Sequence, residues 1–343
     1  MMSAMRALIV TALLASCAQE IVIDDRDALV PTDVGPRDAG PGPTMSWHIY
    51  DVMLSDRLRA VHGTASDDVW AVGERGVVLH FDGRTWTRVN VGLLDELYDV
   101  FAVSRDDVWV VGENSAIAHL VDRVWTPVRG VVPSGTRLIG VTANGPSDVW
   151  VLPEGPIDVG ATVSEHAAVH FDGMRWSTIA RPDPGSYEKS MILLSSSGVI
   201  VHDSDLQLRA GNDWINIDPP VRESGLGFED AAFDAQGRVW LLASEISPSR
   251  ARVFRFQTGS WSELDGPGLV GGLFSTDLVS IQADGEQAWA VGEMAQLSHF
   301  DGQSWQVAIP QTIAGPKLLS VFLADGRVFA VGARGAVVCA GCP

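Results

Sequence analysis

Few residues in this chain have types and spacings that could do chemistry. Cys339 and Cys342 stand with two residues between them at the end of the sequence. In a cytosolic redox fold that spacing serves a thiol catalyst. Here it follows a strand-like run with no helix start behind it, and two cysteines are too few ligands for a structural zinc. In an oxidising compartment a local disulfide is the expected state. His80, His119, His170 and His299 recur at equivalent places in a repeat. They therefore lie in different units, cannot share one metal, and are assigned to packing. Glu74, Glu113, Glu154, Glu245 and Glu293 also recur at one turn position and form a candidate binding rim. Two readings stay open: an acidic ring that attracts a cation or a basic partner, or solvated turn residues copied along with the repeat. Of the three tyrosines, Tyr50 falls on an outermost strand, and Tyr98 starts an inner one and could face a channel. No arginine trio can be assigned around Tyr98. The chain shows no His-x-His pair, phosphate loop or Ser-His-Asp arrangement. No catalytic residue, metal or cofactor is assigned, and an enzyme is not expected.

The third cysteine, Cys17, does different work. Residues 1–16 combine the basic Arg6 with an apolar run, Ala7–Leu14, too short to span a bilayer as a mature helix. The run then reads Leu14-Ala15-Ser16-Cys17, which resembles the bacterial lipobox. That resemblance implies a cleaved signal peptide, acylation of Cys17 and a membrane attachment by lipid only. Ala18-Gln19 lacks the aspartate of an inner-membrane retention signal, so the outer membrane is expected. Residues 17–44 are rich in Asp, Pro and Gly and have no apolar period. They cannot bury enough surface to fold and read as an acidic tether. The net charge is −19, or −20 without the first sixteen residues. Nucleic-acid binding needs a basic face and is not expected. The charge serves solubility or, in the sharper reading, a basic partner.

The elements that must position any site come from a repeat spanning 45–343. Trp70, Trp109, Trp150, Trp240 and Trp289 sit in DVWAVG, DVWVVG, DVWVLP, RVWLLA and QAWAVG, and Phe329 continues the series in RVFAVG. GVIVHD at 198–203 is a degenerate copy. A second series follows each: Trp86, Trp125, Trp176, Trp214, Trp261 and Trp305. A period of about 43 residues over seven repeats is in the propeller range. Each unit divides into four strands, A to D from the inside outwards. Strand B is apolar on both faces, so both faces must be covered. Asp82-Gly83 is a strong hairpin turn between C and D. The last unit lacks a D strand, and Ser46–Tyr50, with Trp47, has no A, B or C strand before it. The sequence therefore predicts an all-β, seven-bladed β-propeller of four-stranded antiparallel blades, closed by the N-terminal strand in the last blade.

The pattern DVWAVG…G…HFDG…W resembles propeller repeats of the Asp-box/sialidase class and of the photosystem II assembly-factor class. His80–Trp86, His170–Trp176 and His299–Trp305 carry the Asp-box-like turn, with histidine in place of the family serine. The turn physics stands without the resemblance: Asp82, Asp172 and Asp301 cap amides, glycine takes positive φ, and the tryptophan wedges against the next blade.

In such a blade the A–B and C–D turns open on one face and are short and uniform. The other face carries long, varied loops: Val91–Glu96, Arg129–Thr136, Arg181–Glu188, Asp218–Gly227, Asp265–Thr276 and Pro310–Pro316, with insertions at Pro153–Glu165 and Ser244–Arg250. Irregular loops on a rigid scaffold carry recognition. The expectation is a monomeric, lipid-anchored scaffold of the cell envelope that binds a protein or polysaccharide by this face. The alternative is a sialidase-like glycoside hydrolase.

Overall fold

The computed structural model describes residues 46–157, 167–180, 190–193, 199–202, 206–210, 213–217, 226–246, 249–264, 278–308 and 315–342. The expected signal peptide, residues 1–16, Cys17 and the expected tether, residues 17–44, lie outside them. So do Arg181–Glu188, Asp265–Thr276 and most of Pro153–Glu165, Asp218–Gly227 and Pro310–Pro316.

The strands pair into seven four-stranded antiparallel sheets, each taken in chain order except the last. The inner strands of the first three are Leu58–Ala65, Leu97–Ser104 and Leu138–Gly145. Those of the next four are Ser190–Leu193, Leu226–Phe233, Leu278–Asp284 and Leu318–Ala324. In the sheet Ser190–Asn216, side chains are described only within Leu206–Asn216. The last sheet is completed by Trp47–Ile49, whose residues Trp47, His48 and Ile49 pair with Ala340, Cys339 and Val338. Tyr50 N donates to Val337 O at 2.9 Å and Gly341 N to Ser46 O at 3.0 Å, so the joint is bonded at both ends.

The two-faced B strands explain the wheel. Asp68–Gly73 is buried at every position. Val69 and Ala71 pack with Phe329 and Val331 of the last blade. Trp70 and Val72, pointing the other way, pack with Leu97 and Val108 of the second blade. Strand alternation thus divides one hexapeptide between two cores. At the end of the strand, a Cβ on Gly73 would collide with the Arg57 carbonyl, so glycine is required for that close approach.

The C–D turns behave as their residues dictate. Asp82 Oδ1 accepts from the amides of Arg84 and Thr85 at 2.9 and 2.8 Å, and Asp172 and Asp301 repeat this. Gly83 takes φ +92°. These aspartates belong to the turn. One direction is corrected: the tryptophan after each turn packs on the preceding blade, not the next. Trp125 meets Trp70 edge-on at 5.5 Å, and Trp176 meets Trp109 at 5.8 Å. Trp47 meets Trp289 in the same way at 6.5 Å. The outer strand leans that way because of sheet twist.

The histidines do more than fill space. His80, His119 and His170 each stack on the B-strand tryptophan and bring Nε2 within 2.8 Å of the aspartate that starts that strand: Asp68, Asp107 and Asp148. Burial would raise the Asp68 carboxyl, but hydrogen bonds from His80 and Thr64 hold it below the usual range. In the sixth blade Gln287 replaces the aspartate. His299 still stacks on Trp289, is 4% exposed, and has no hydrogen-bond partner on either ring nitrogen among the described residues. Burial lowers its pKa. In the last blade Cys339 takes the histidine's place opposite Phe329 and is joined to Cys342 by a disulfide. Gln287→Asp should restore the missing acceptor. We expect a gain of about 1 kcal/mol in urea unfolding and a raised His299 pKa by NMR; an unmoved pKa would refute the account.

Candidate functional site

Two depressions adjoin one another on the long-loop side of the wheel. The first, about 460 Å³, lies between the second and third blades and is walled by Glu113, Pro133–Arg137, Glu154, Pro156 and Ile157. The second, about 280 Å³, is the upper part of the central channel, with Arg59 and Tyr98 at its mouth. They meet at one side-chain group. Arg137 donates to Glu113 at 2.8 Å and to Glu154 at 2.7 Å. The Tyr98 hydroxyl donates to Glu113 at 2.9 Å. The Arg137 and Arg59 guanidinium carbons lie 5.5 and 4.8 Å from the Tyr98 ring centre, and Arg59 is paired with Glu96. A phenol is thus held between two guanidiniums, each tied to carboxylates.

Local sequence sets this group up. The glutamates follow the glycine or proline that ends strand B, and the basic residues precede strand A of the same or the next blade. The Glu113 amide donates to the Glu96 carbonyl at 2.8 Å and the Glu154 amide to the Arg137 carbonyl at 2.9 Å, which pins each turn beside the start of an inner strand. Of the five rim glutamates, Glu74 lies 3.8 Å from Arg57, Glu113 and Glu154 share Arg137, and Glu293 pairs with Lys317 at 2.8 Å. Glu245 also has partners. The rim is therefore a belt of ion pairs rather than a bare acidic ring. Sequence reasoning found the acids and missed their bases. The signal was there: Arg57, Arg137 and Lys317 stand one residue before a strand A.

The electrostatics argue about chemistry. Burial, the hydrogen bond to Glu113 and the charges of Glu96 and Glu113 push the Tyr98 phenol up to about 12. Partial burial would raise Glu113, yet hydrogen bonds from Arg137 and Tyr98 hold it below the usual carboxylate range. A phenol at that value is a poor nucleophile, and a tied carboxylate is a poor base. Among the described residues two arginines, Arg59 and Arg137, flank Tyr98.

Deeper in the channel the inner strands are laced together by polar side chains. Val61 N donates to Ser320 Oγ at 3.2 Å, Val141 N to Asp99 Oδ2 at 2.9 Å, and Ile281 N to Asp230 Oδ2 at 2.8 Å. Ala102 N donates to His62 Nδ1 at 3.1 Å. Burial pushes Asp99 and Asp230 up to about 7 against these backbone bonds, and the charge of Asp99 raises Asp230 further. Burial lowers His62 to about 4, so it is neutral. Sequence reasoning assigned none of these residues. Among the described residues no group of three or more His, Cys, Asp or Glu is placed to hold a metal.

Comparisons with known proteins come from structure alone. No protein-family model matches the chain, and no curated protein matches it. Among solved structures, one described as YCF48 bound to D1 peptide superposes with TM-score 0.64 at 17% identity, covering 90% of this chain and 99% of that one. YCF48 from Cyanidioschyzon merolae gives 0.63 at 15%, covering 86% and 98%. The WD40 β-propeller domain of Doa1 gives 0.62 at 12%, covering 84% and 93%. The likeness is one of fold. This chain is a β-propeller built from four-stranded antiparallel blades.

The channel carboxyls carry a pH dependence. A pKa raised from 3.8 unfolded to about 7 folded means the native state binds the extra protons, so the contribution of these two carboxyls to stability is fully present below about pH 4 and is lost as pH rises through 7. We expect unfolding free energy to drop by on the order of 2 kcal/mol per carboxyl between pH 5 and pH 8.5, and the drop to vanish in Asp99→Asn/Asp230→Asn. An identical slope in that variant would refute the assignment.

Proposed function

We propose that this seven-bladed wheel is a protein-binding scaffold of the cell envelope, taking an extended peptide segment of its partner across the long-loop face. The observation that carries the reading is the pair of adjoining depressions around Tyr98 and Arg137. The two share no wall residue but are linked by the Tyr98–Glu113 hydrogen bond, and each is a concave site lined by polar groups with fixed partners. The opposite face, by contrast, carries short turns that cap themselves, such as Asp82–Thr85. The superposed structure described as bound to D1 peptide supports a peptide ligand for a wheel of this shape. Hydrolysis of glycosides is disfavoured by the high phenol pKa and the ion-paired carboxylates.

In the same proposal, residues 1–16 are a signal peptide and Cys17 carries the lipid. Residues 17–44 let the wheel stand off the membrane, with the outer membrane as the site. The wheel acts as a monomer, without cofactor or metal.

Both parts can be tested in cells of the source organism. A photo-crosslinking side chain at Ser134 should capture a discrete partner, and those at the exposed Arg84 and Met174 should not. Capture from the turn face alone would reverse the assignment. Cys17→Ser should move the protein out of the membrane fraction; retention there would exclude the lipid anchor.

A further inference from the structure

The channel holds two carboxyls whose charge the fold does not use. Asp99 and Asp230 occupy one register of the inner strands, opposite Val111 and Leu242. Ser280 and Ser320 hold the same register in the sixth and seventh blades, opposite Val291 and Val331. Ser320 makes the lacing bond to the next blade with a neutral hydroxyl. The lacing therefore needs an acceptor, not a charge.

Both acids line the 280 Å³ cavity. Asp230 is 7% exposed and Asp99 is partly buried. Neither has a basic partner among the described residues. Asp99 accepts from the amides of Val100 and Val141, and Asp230 from those of Ala231 and Ile281 and from Ser280. A carboxylate offers about four acceptor sites, so both keep spare capacity. A separate observation points the same way. Thr142 lines the cavity, is 4% exposed, and its hydroxyl has no protein partner among the described residues. A half-open pocket with two acids that lack a basic partner and a hydroxyl that lacks one is biased toward a cation.

Among the described residues, the other charged or titratable groups facing this pocket do not fill that need. Arg59 stands at the mouth, but Glu96 holds it there. Tyr98 is neutral and bonded to Glu113, and His62 is neutral. Gln282, Ser280 and Ser320 bring no charge. At the mouth Glu96 and Glu113 are each matched by an arginine, Arg59 and Arg137.

We propose that the channel seats one basic side chain of the bound peptide, a lysine ammonium or arginine guanidinium, between Asp99 and Asp230 with Thr142 in reach. This rests on the peptide-binding reading and names the chemistry of its anchor. The net charge of −19 agrees with a basic partner. A single protruding cation suits a cavity of this size, and its stem would pass the Tyr98 ring. Binding draws both carboxyls into the charged form, so it strengthens as pH rises through 7.

The test uses the soluble wheel with its tether and two tripeptides, acetyl-Gly-Lys-Gly-amide and its norleucine counterpart, with calcium chloride as a third probe. The readout is carbon-13 NMR of the aspartate carboxyls together with calorimetry. We expect the lysine peptide to lower the pKa of Asp99 and Asp230, to bind at least tenfold tighter than the norleucine peptide at pH 8, and to weaken at least tenfold at pH 5.5. Asp99→Ser/Asp230→Ser, which copies the residue found at Ser320, should fold and lose the preference for lysine. Equal binding of the two peptides, no carboxyl response, or a carboxyl response to calcium alone would overturn the proposal. Loop-face crosslinks that persist after such a failure would leave the scaffold standing without this anchor. A carboxyl response to lysine without loop-face crosslinks would keep the anchor and remove the scaffold.

Discussion

The structure depends on one constraint: the second strand of each blade is apolar on both sides. Asp68–Gly73 cannot be half solvated, because Trp70 and Val72 need cover as much as Val69 and Ala71 do. Each blade must therefore be sandwiched, and a row of sandwiched blades ends only by closing on itself. Closure in turn demands a fourth strand for the last blade. Trp47–Ile49 supplies it, and Trp47 lands on Trp289 as other outer tryptophans land on the blade before them. Hydrophobic burial, rather than any single polar contact, sets the topology.

Within that frame the polar residues tune the parts. The aspartate-histidine-tryptophan stack recurs where an aspartate begins strand B and lapses where it does not. In the fifth blade the substitute is a charged one. Arg255 lies over Trp240 at 5.4 Å and donates to Glu286 at 2.5 Å, and Glu286 also takes Arg238. In the last blade it is covalent, through Cys339. Three different chemistries thus hold one place in the wheel, because the place needs a flat or compact group against the B-strand aromatic.

The two faces differ for the same reason. Self-capping turns close one side economically in chain length, and their uniformity follows from the uniform hairpin geometry. On the other side the connections cross from an outer strand back to an inner one. That longer path admits varied loops, and the inner strands begin there. Arg59, Tyr98 and Arg137 consequently gather at the channel mouth although they come from three blades.

Much of this was legible in the residues. The repeat period, the four-strand unit, the Asp-Gly turns and the orphan Trp47 strand all follow from local pattern and from the rule that an apolar face is covered. The histidine partners were legible too, since Asp68 to His80 and Asp107 to His119 are both twelve apart. The ion-pair belt and the channel were not. Glu113 and Arg137 are 24 residues apart, and Asp99 and Asp230 lie in the second and fifth blades. Which side chains converge at the axis depends on strand register and on closure of the whole ring. Sequence by itself determined the blades and how each turns; only the tertiary structure decided what faces the hole in the middle, because that hole belongs to no single repeat.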